Sequence, residues 1–416
     1  MTRRRFLGMA AALGTCGAGV TAWKLWPAEG VFNPCLGALP PRLAEHELVR
    51  AAWEGIAPAQ VWDGHAHLLG SGDSGGGAWL NPAAESVAHP VRMAQRRFFL
   101  NAACARDAPG EVDRSYVEHM RALMDGMPPG AKMLLLAFDQ HYTERGETAP
   151  ERTDLHIPNR YARALAQRHP DRFEWAASVH PYRRDCVAEL EHAARGGARA
   201  VKWLPAMMGI DPASSLCDSF YAALARLDLP LITHAGEERA ALGGAMQAYG
   251  NPLLLRRALD HGVRVVVAHC ASMGEGRDLD RGPQGPLTDN FELFARLMDM
   301  PAYERRLYGD ISSMLQTKRA GPALARVIER SDWQTRLLNG SDYPLPGVMP
   351  LYSVETLVER GYIERAAAPV LIELRRHNPL LFDFVAKRHL RSAGRRLGAA
   401  VFETRKFFTT ALMPGP

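Results

Sequence analysis

The chain has 416 residues, 47% of them hydrophobic and 23% charged, with a formal net charge of +5. That balance suits a globular protein with a sizeable core and argues against a wholly disordered or multi-spanning membrane chain. The basic excess sits at the two ends, Arg3, Arg4 and Arg5 at one and residues such as Lys387, Arg388, Arg395 and Arg396 at the other, and no basic stripe interleaved with aromatics points to nucleic acid.

The chain opens Thr2-Arg3-Arg4-Arg5-Phe6-Leu7 and continues as an apolar run of small residues to Ala22. Adjacent arginines before Phe-Leu and a weakly hydrophobic segment read as a twin-arginine export signal, so residues 1–26 are assigned as signal or anchor. Val20-Thr21-Ala22 offers a cleavage point, whereas Leu13-Gly14-Thr15-Cys16 is a poor lipoprotein box. Left uncleaved, residues 6–26 would make a helix of about 31 Å, long enough to anchor in a bilayer. Either outcome places the protein in the periplasm or on the periplasmic side of the inner membrane. Without Cys16, five cysteines remain, Cys35, Cys104, Cys186, Cys217 and Cys270. Their spacing matches no zinc knuckle and selects no disulfide pair.

Residues 27–58, rich in Pro and Gly, read as a linker and packing arm with a helix-like stretch at 45–55. From 59 to 390, short apolar runs alternate with longer helical patterns, which argues for parallel βα units. Candidate strands fall at 60–67, 132–139, 173–180, 199–204, 229–235, 263–269, 307–312 and 335–342. Helical periodicity is clear at 161–169, 186–195 and 252–261. Eight parallel strands close most economically into a ring, so the expected fold is α/β, a (β/α)8 TIM barrel with an N-terminal signal or anchor and extension. Gly70-Ser71-Gly72-Asp73-Ser74-Gly75-Gly76-Gly77 follows the first strand and reads as a mobile loop on the catalytic rim, a lid or a flexible connector. Residues 391–416 read as a basic C-terminal tail, solvated or in contact with anionic lipid head groups.

The chemistry begins in Asp63-Gly64-His65-Ala66-His67. Residues two apart on a strand share a face, so His65 and His67 converge on one point, as a divalent metal requires. A lone HxH is weak, but the pattern repeats. The fifth candidate strand ends at His234, the sixth at His269 and the eighth at Asp342. In a barrel all these ends share one rim.

These segments resemble a known family. Asp63-Gly64-His65-Ala66-His67, Val201-Lys202-Trp203-Leu204-Pro205, Thr233-His234-Ala235-Gly236, Ala268-His269-Cys270 and Gly340-Ser341-Asp342-Tyr343-Pro344 together are similar to the amidohydrolase-related family of the amidohydrolase superfamily, which also includes resorcylate-type decarboxylases. The resemblance implies that His65, His67, His234 and Asp342 ligate one divalent ion, Zn²⁺ or similar. It further implies Asp342 as general base and His269 as a group polarising substrate or water. Lys202 is read three ways: a carboxylated bridge to a second ion, a substrate-reaching group, or a structural ion pair. Asp139, His141, His180, Tyr182, Glu237 and Asp310 are candidate pocket residues, and Arg183 or Arg184 a grip for an acidic substrate.

The leading expectation is a metal-dependent hydrolase in which metal-activated water attacks a C–N or C–O bond of a small molecule, with Asp342, His269 and Lys202 as catalytic residues. Its rivals are a metal-dependent decarboxylase of a small unsaturated or aromatic acid, and a non-catalytic membrane-tethered binding protein. Oligomeric state is not legible.

Overall fold

The computed structural model describes residues 29–239 and 244–409, so the expected signal or anchor at 1–26 lies outside the described residues. Eight parallel strands occupy the expected places: β1 (Trp62–His67), β2 (Lys132–Leu136), β3 (Phe173–Ala176), β4 (Val201–Trp203), β5 (Leu231–His234), β6 (Val265–Ala268), β7 (Leu307–Asp310) and β8 (Leu337–Leu338). Most are shorter than their apolar runs at the C-terminal end, where backbone turns away from the ladder to present polar side chains. Helices α1 (Pro90–Ala102), α2 (Val112–Asp125), α3 (Asn159–Arg168), α4 (Cys186–Arg195), α5 (Asp218–Leu227), α6 (Arg256–Asp260), α7 (Asn290–Met298), α8 (Pro322–Glu329), α9 (Ala368–His377) and α10 (Pro379–His389) fall between and after the strands. They are amphipathic for a simple reason: α2, for instance, buries Tyr116, Met120 and Leu123 at helical spacing. Among the described residues no helix is long and apolar enough to cross a membrane.

Continuous ladders make two sheets, β1-β2-β3 and β8-β7-β6-β5-β4, rather than one closed ring. At both seams the sheets meet through isolated parallel bridges, Ala66 with Tyr343 and Ala177 with Val201. Backbone bonds flank each bridge: Asp342 N donates to His65 O at 2.7 Å and Lys202 N to Ala177 O at 2.7 Å. The first seam needs close backbone approach. A Cβ on Gly340 would lie 2.6 Å from that of His65, so glycine there lets the Asp342 segment run against β1.

Two expectations are corrected. The 70–77 loop is tied down: Asp113, fully buried, accepts from Ser71 N (2.7 Å), Gly72 N (3.2 Å), Ser74 N (3.3 Å) and Ser74 Oγ (2.7 Å). In return Asp73 accepts from Val112 N and Asp113 N at the start of α2 (2.9 and 3.1 Å). The loop spells GxGxxG, yet no helix opens from it, so the spelling is incidental.

The second correction concerns the expected C-terminal tail: Arg395, Arg396, Arg405 and Lys406 are exposed, but Leu397, Val401, Phe402, Thr404, Phe407 and Phe408 between and after them are buried. Phe407 and Phe408 join Trp62, Leu134, Ile232 and Val266 in one buried cluster. Phe408 stacks on Trp62 with centroids 6.3 Å apart, and the Thr404 hydroxyl bonds to the Trp62 backbone. The buried Arg264 donates to Phe407 O at 2.9 Å and lies over its ring. Apolar burial of two aromatics outweighs the basic character of the surrounding chain. At the other end the 27–58 arm is fastened by a disulfide between Cys35 and Cys104 and by Glu29, buried against Arg375 at 3.0 Å.

Candidate metal centre

Strand periodicity turns His65 and His67 to one side of β1, and Asp342 arrives from the adjoining segment after β8. Their ligating atoms converge. His65 Nε2 and His67 Nε2 are 3.3 Å apart, and Asp342 Oδ1 lies 3.5 Å from the first and 3.1 Å from the second. Donors about 2.1 Å from a tetrahedral ion are separated by about 3.4 Å, so this trio has the spacing of one face of a tetrahedral metal site. His65 and Asp342 are buried, whereas the His67 side chain is 21% exposed and marks the open side.

The imidazoles are held in one tautomer by partners behind them. Asp310, at the end of β7, takes His65 Nδ1–H on Oδ2 at 2.8 Å, which leaves the Nε2 lone pair facing the trio. Its other oxygen accepts from His269 N (2.9 Å) and Ser312 N (3.0 Å), and from the Ser312 hydroxyl. His269 Nδ1 lies 3.0 Å from the Ser312 carbonyl, an acceptor only, so the proton sits on Nδ1 and Nε2 is an acceptor. That Nε2 faces Asp342 Oδ2 at 3.5 Å, and Ser313 Oγ donates to the same oxygen at 2.6 Å. His269 (φ 54°), Ser313 (φ 53°) and Asp342 (φ 61°) all adopt the left-handed region, a strain concentrated where function is expected.

Electrostatics sharpen the picture. Burial alone would raise the Asp342 carboxyl, but the His269, His65 and His67 imidazoles hold it well below its ordinary value. Asp310 is likewise raised by burial and pulled down further by His65, His269 and Ser312. Burial, reinforced by Lys202, lowers His65. Burial also drives His234 and His269 well below normal, with Arg319 adding to the effect at both. Burial thus favours the neutral form of His65, His234 and His269, the form that binds metal. Burial brings the Lys202 ammonium down to about 8 against the pull of Asp310, Asp342 and Glu238. Lys202 Nζ lies 3.1 Å from His65 Nε2, at the edge of the same space.

The structure brings together His65, His67 and Asp342, and sets Lys202 and His269 against them. His234 is not in that trio: its Nε2 faces Glu238 Oε2 at 3.4 Å, and its ring packs 5.5 Å from His269. A second group, His65, His269 and Asp310, also lies within 4.8 Å. Its shortest contact is the bond from the far side of His65 to Asp310, so it orients the centre rather than forming another.

Of the weaker candidates, Asp139 accepts from His180 N (2.9 Å) and Arg183 (3.2 Å), and His180 donates to Met208 O (2.9 Å). Glu237 pairs with Arg239 instead of facing the centre; the buried neighbour of His234 is Glu238. Trp203 is core, stacked on Phe220, and Cys270 is buried.

Sequence reasoning missed Ser312, Ser313, Glu238 and Arg319. Arg319 is 7% exposed, with its Nε unpartnered and one side-chain hydrogen bond among the described residues, to Ser272 Oγ at 3.1 Å. Burial lowers its guanidinium, opposed first by Asp342 and then by Glu238. No spacing signal announces it, because it stands in the irregular segment after β7.

A family model described as amidohydrolase matches residues 62–360. Comparison with curated proteins gave no match. Among solved structures the chain is similar to an uncharacterised TIM-barrel protein from Bordetella bronchiseptica (17% identity, 73% of this chain and 91% of that chain, TM-score 0.46). It is similar also to a probable 2-pyrone-4,6-dicarboxylic acid hydrolase from Acinetobacter baumannii (16% identity, 72% and 90% covered, TM-score 0.41). A third is the 5-carboxyvanillate decarboxylase of Sphingomonas paucimobilis (12% identity, 76% and 95% covered, TM-score 0.43).

Proposed function

Because the chain belongs to the amidohydrolase family of metal-dependent enzymes, we propose that it is a hydrolase of a C–N or C–O bond in a small molecule, built on one (β/α)8 barrel over residues 59–390. The observation that carries this reading is the convergence of His65 Nε2, His67 Nε2 and Asp342 Oδ1 within 3.5 Å of one another. His65, His67 and Asp342 would hold one Zn²⁺ or similar ion, with His234 completing the set by a side-chain movement away from Glu238. A bound divalent ion supplies Lewis acidity and lowers the pKa of coordinated water towards about 7.

The chain's own residues divide the remaining work. Asp342 Oδ1 belongs to the ligand set, while Oδ2, steadied by Ser313, takes the proton from the attacking water. His269, expected to polarise substrate or water, would accept at Nε2 and so orient that water, a reading its Nδ1 contact with the Ser312 carbonyl supports. Lys202 Nζ would donate to a substrate oxygen, a role supported by its position 3.1 Å from His65 Nε2. A second ion would require Lys202 to be carboxylated, and metal stoichiometry with and without bicarbonate tests that alternative.

Decarboxylation at the same centre is the second reading. The buried guanidinium of Arg319, whose Nε has no partner, favours a substrate bearing a carboxylate, which either chemistry accommodates. Assay of the metal-loaded enzyme on esters, lactones, amides and carboxylic acids separates them. Hydrolysis without CO₂ supports the proposal, CO₂ release favours the lyase, and an inert metal-loaded protein favours a binding role.

The twin-arginine reading of residues 1–26 and a periplasmic location are part of the proposal. The Cys35–Cys104 disulfide supports them, since such bonds persist in oxidising compartments.

A further inference from the structure

Four of the seven sizeable apolar side chains that stand exposed among the described residues lie in two short segments fastened to each other. Phe32 and Leu36 belong to the N-terminal arm, Val87 and Val91 to the start of α1, and they are between 42% and 85% exposed. The Cys35–Cys104 disulfide and a bond from Asn33 N to Asn101 Oδ1 (2.8 Å) hold the arm against the C-terminal end of α1. Phe32 stacks on Phe98 with centroids 5.3 Å apart. Val91 and Phe98 are two helical turns apart and so share one face of α1, and Val87 leads into that helix. Exposed apolar residues scattered singly need no explanation, but a strip of them does.

The position of the strip selects its occupant. Glu29, buried against Arg375 and accepting from Val354 N (2.6 Å), fixes the chain three residues before Phe32. The chain ahead of it carries the apolar run at 6–26, which ends in Trp23-Lys24-Leu25-Trp26. Tryptophan and lysine closing an apolar run are residues of a bilayer interface. The six residues from Trp26 to Phe32 span at most about 20 Å, so a tether through that run holds the strip at the bilayer surface. The charges agree. Arg97 is exposed beside Phe98, and the exposed Arg376 gives its carbonyl to Leu36 N (3.2 Å). Acids close to these segments in sequence or across α9 are already paired: Glu85 and Asp107 with Arg96, and Glu373 with Arg42. Basic residues flanking apolar surface suit anionic lipid head groups.

We propose that Phe32, Leu36, Val87, Val91 and Phe98, flanked by Arg97 and Arg376, form a surface that lies on an anionic lipid bilayer. The inference rests on the anchor reading of residues 1–26 and goes beyond it: a tether alone leaves the folded part free to tumble, whereas this surface fixes its orientation. Gln95, on the same helix, donates to Arg239 O (3.3 Å) in the segment after β5, so the lipid-facing helix also borders the catalytic rim.

The test uses the full-length, metal-loaded chain reconstituted into vesicles containing phosphatidylglycerol. One nitroxide label is carried on Val91→Cys or, as reference, on Glu304→Cys, an exposed position just before β7 at the other end of the barrel. Cys16→Ser is introduced as well, since the free thiols Cys186, Cys217 and Cys270 are buried. Flotation reports the tether, and the surroundings of the label report the surface. The protein is expected to float, with the label at 91 gaining collisions with oxygen and losing them with a water-soluble nickel chelate while the label at 304 stays in water. A floating protein whose label at 91 remains in water overturns the surface and leaves the tether standing. A protein that does not float refutes both. Equal lipid exposure at 91 and 304 marks non-specific adsorption, and spin–spin broadening at 91 assigns the strip to a second copy of the chain; either result overturns the proposal.

Discussion

His65 Nδ1 lies 2.8 Å from Asp310 Oδ2, so a carboxylate from β7 decides which nitrogen of a β1 histidine is offered to the metal. Loss of such a partner typically costs 10–100-fold in metal affinity, because the ring is freed to rotate and to change tautomer. Asp310→Asn should therefore weaken Zn²⁺ binding by about 10–100-fold in chelator competition while the protein still unfolds cooperatively. An unchanged affinity would show that His65 is oriented by something else.

Asp342 has a divided carboxylate, one oxygen toward His65 and His67 and the other toward Ser313 and His269. Asparagine keeps a ligating oxygen but cannot take a proton. Asp342→Asn should retain much of the metal and lose about 10²-fold or more in kcat. By contrast His65→Ala with His67→Ala should empty the centre, read by elemental analysis. Full turnover in the Asn variant would dismiss Asp342 as the base.

Arg319 is buried with Nε unpartnered, feels the Asp342 charge, and donates to Ser272 Oγ at 3.1 Å. Hydrogen bonds to charged groups are worth about 1.5–3 kcal/mol, so Arg319→Gln should raise KM for carboxylate-bearing substrates by about 10–100-fold. Neutral analogues should be affected far less, and metal content should not change. Equal losses on acidic and neutral substrates would make Arg319 a structural residue.

The sequence made one half of this centre readable. Period-two alternation places His65 and His67 on one face, and apolar runs ending in polar residues mark His234, His269 and Asp342 as strand-end groups. What local patterns do not encode is which distant group stands behind each ligand. Asp310 is only another acid at a strand end until the barrel sets β7 beside the segment after β8, and that segment beside β1. Glu238, four residues from His234 in an irregular segment, has no periodicity to betray it. The same limit explains the loop at 70–77, whose glycines suggest mobility while the residue that ties it, Asp113, comes some forty positions later. Phe407 and Phe408 were hidden by basic neighbours, because charge density says nothing about two aromatics that find an apolar cavity.

His180 gives a pH prediction apart from the metal. Its Nε2–H donates to Met208 O (2.9 Å) and Nδ1 accepts from Tyr182 N (3.1 Å), an arrangement only the neutral ring can make. Burial lowers it to about 3. The unfolded chain, near 6.5, thus binds one more proton between those values. Stability from this residue is complete above about 6.5 and is lost as pH falls toward about 3, at up to about 1.4 kcal/mol per pH unit. Urea midpoints of the natural protein and of His180→Gln should converge in that window. Parallel curves would show that His180 does not titrate on unfolding.

The disulfide links compartment to stability. Cys35 and Cys104 are separated by 69 positions, and closing a loop of that length restricts the unfolded chain by about 4 kcal/mol in the chain-entropy model. Cys35→Ser with Cys104→Ser should lower the unfolding free energy by about 2–4 kcal/mol without altering metal content. The bond also reports on export. Replacing Arg3, Arg4 and Arg5 together by Lys should retain the protein in the cytoplasm, where reducing conditions keep both thiols free to alkylation, while the natural chain is recovered oxidised from the periplasm. The three other cysteines among the described residues are buried free thiols and serve as an internal control under denaturing alkylation. Unchanged periplasmic yield of the lysine variant would remove the signal assignment, whereas oxidised cysteines in a retained protein would break only the inference from disulfide to compartment.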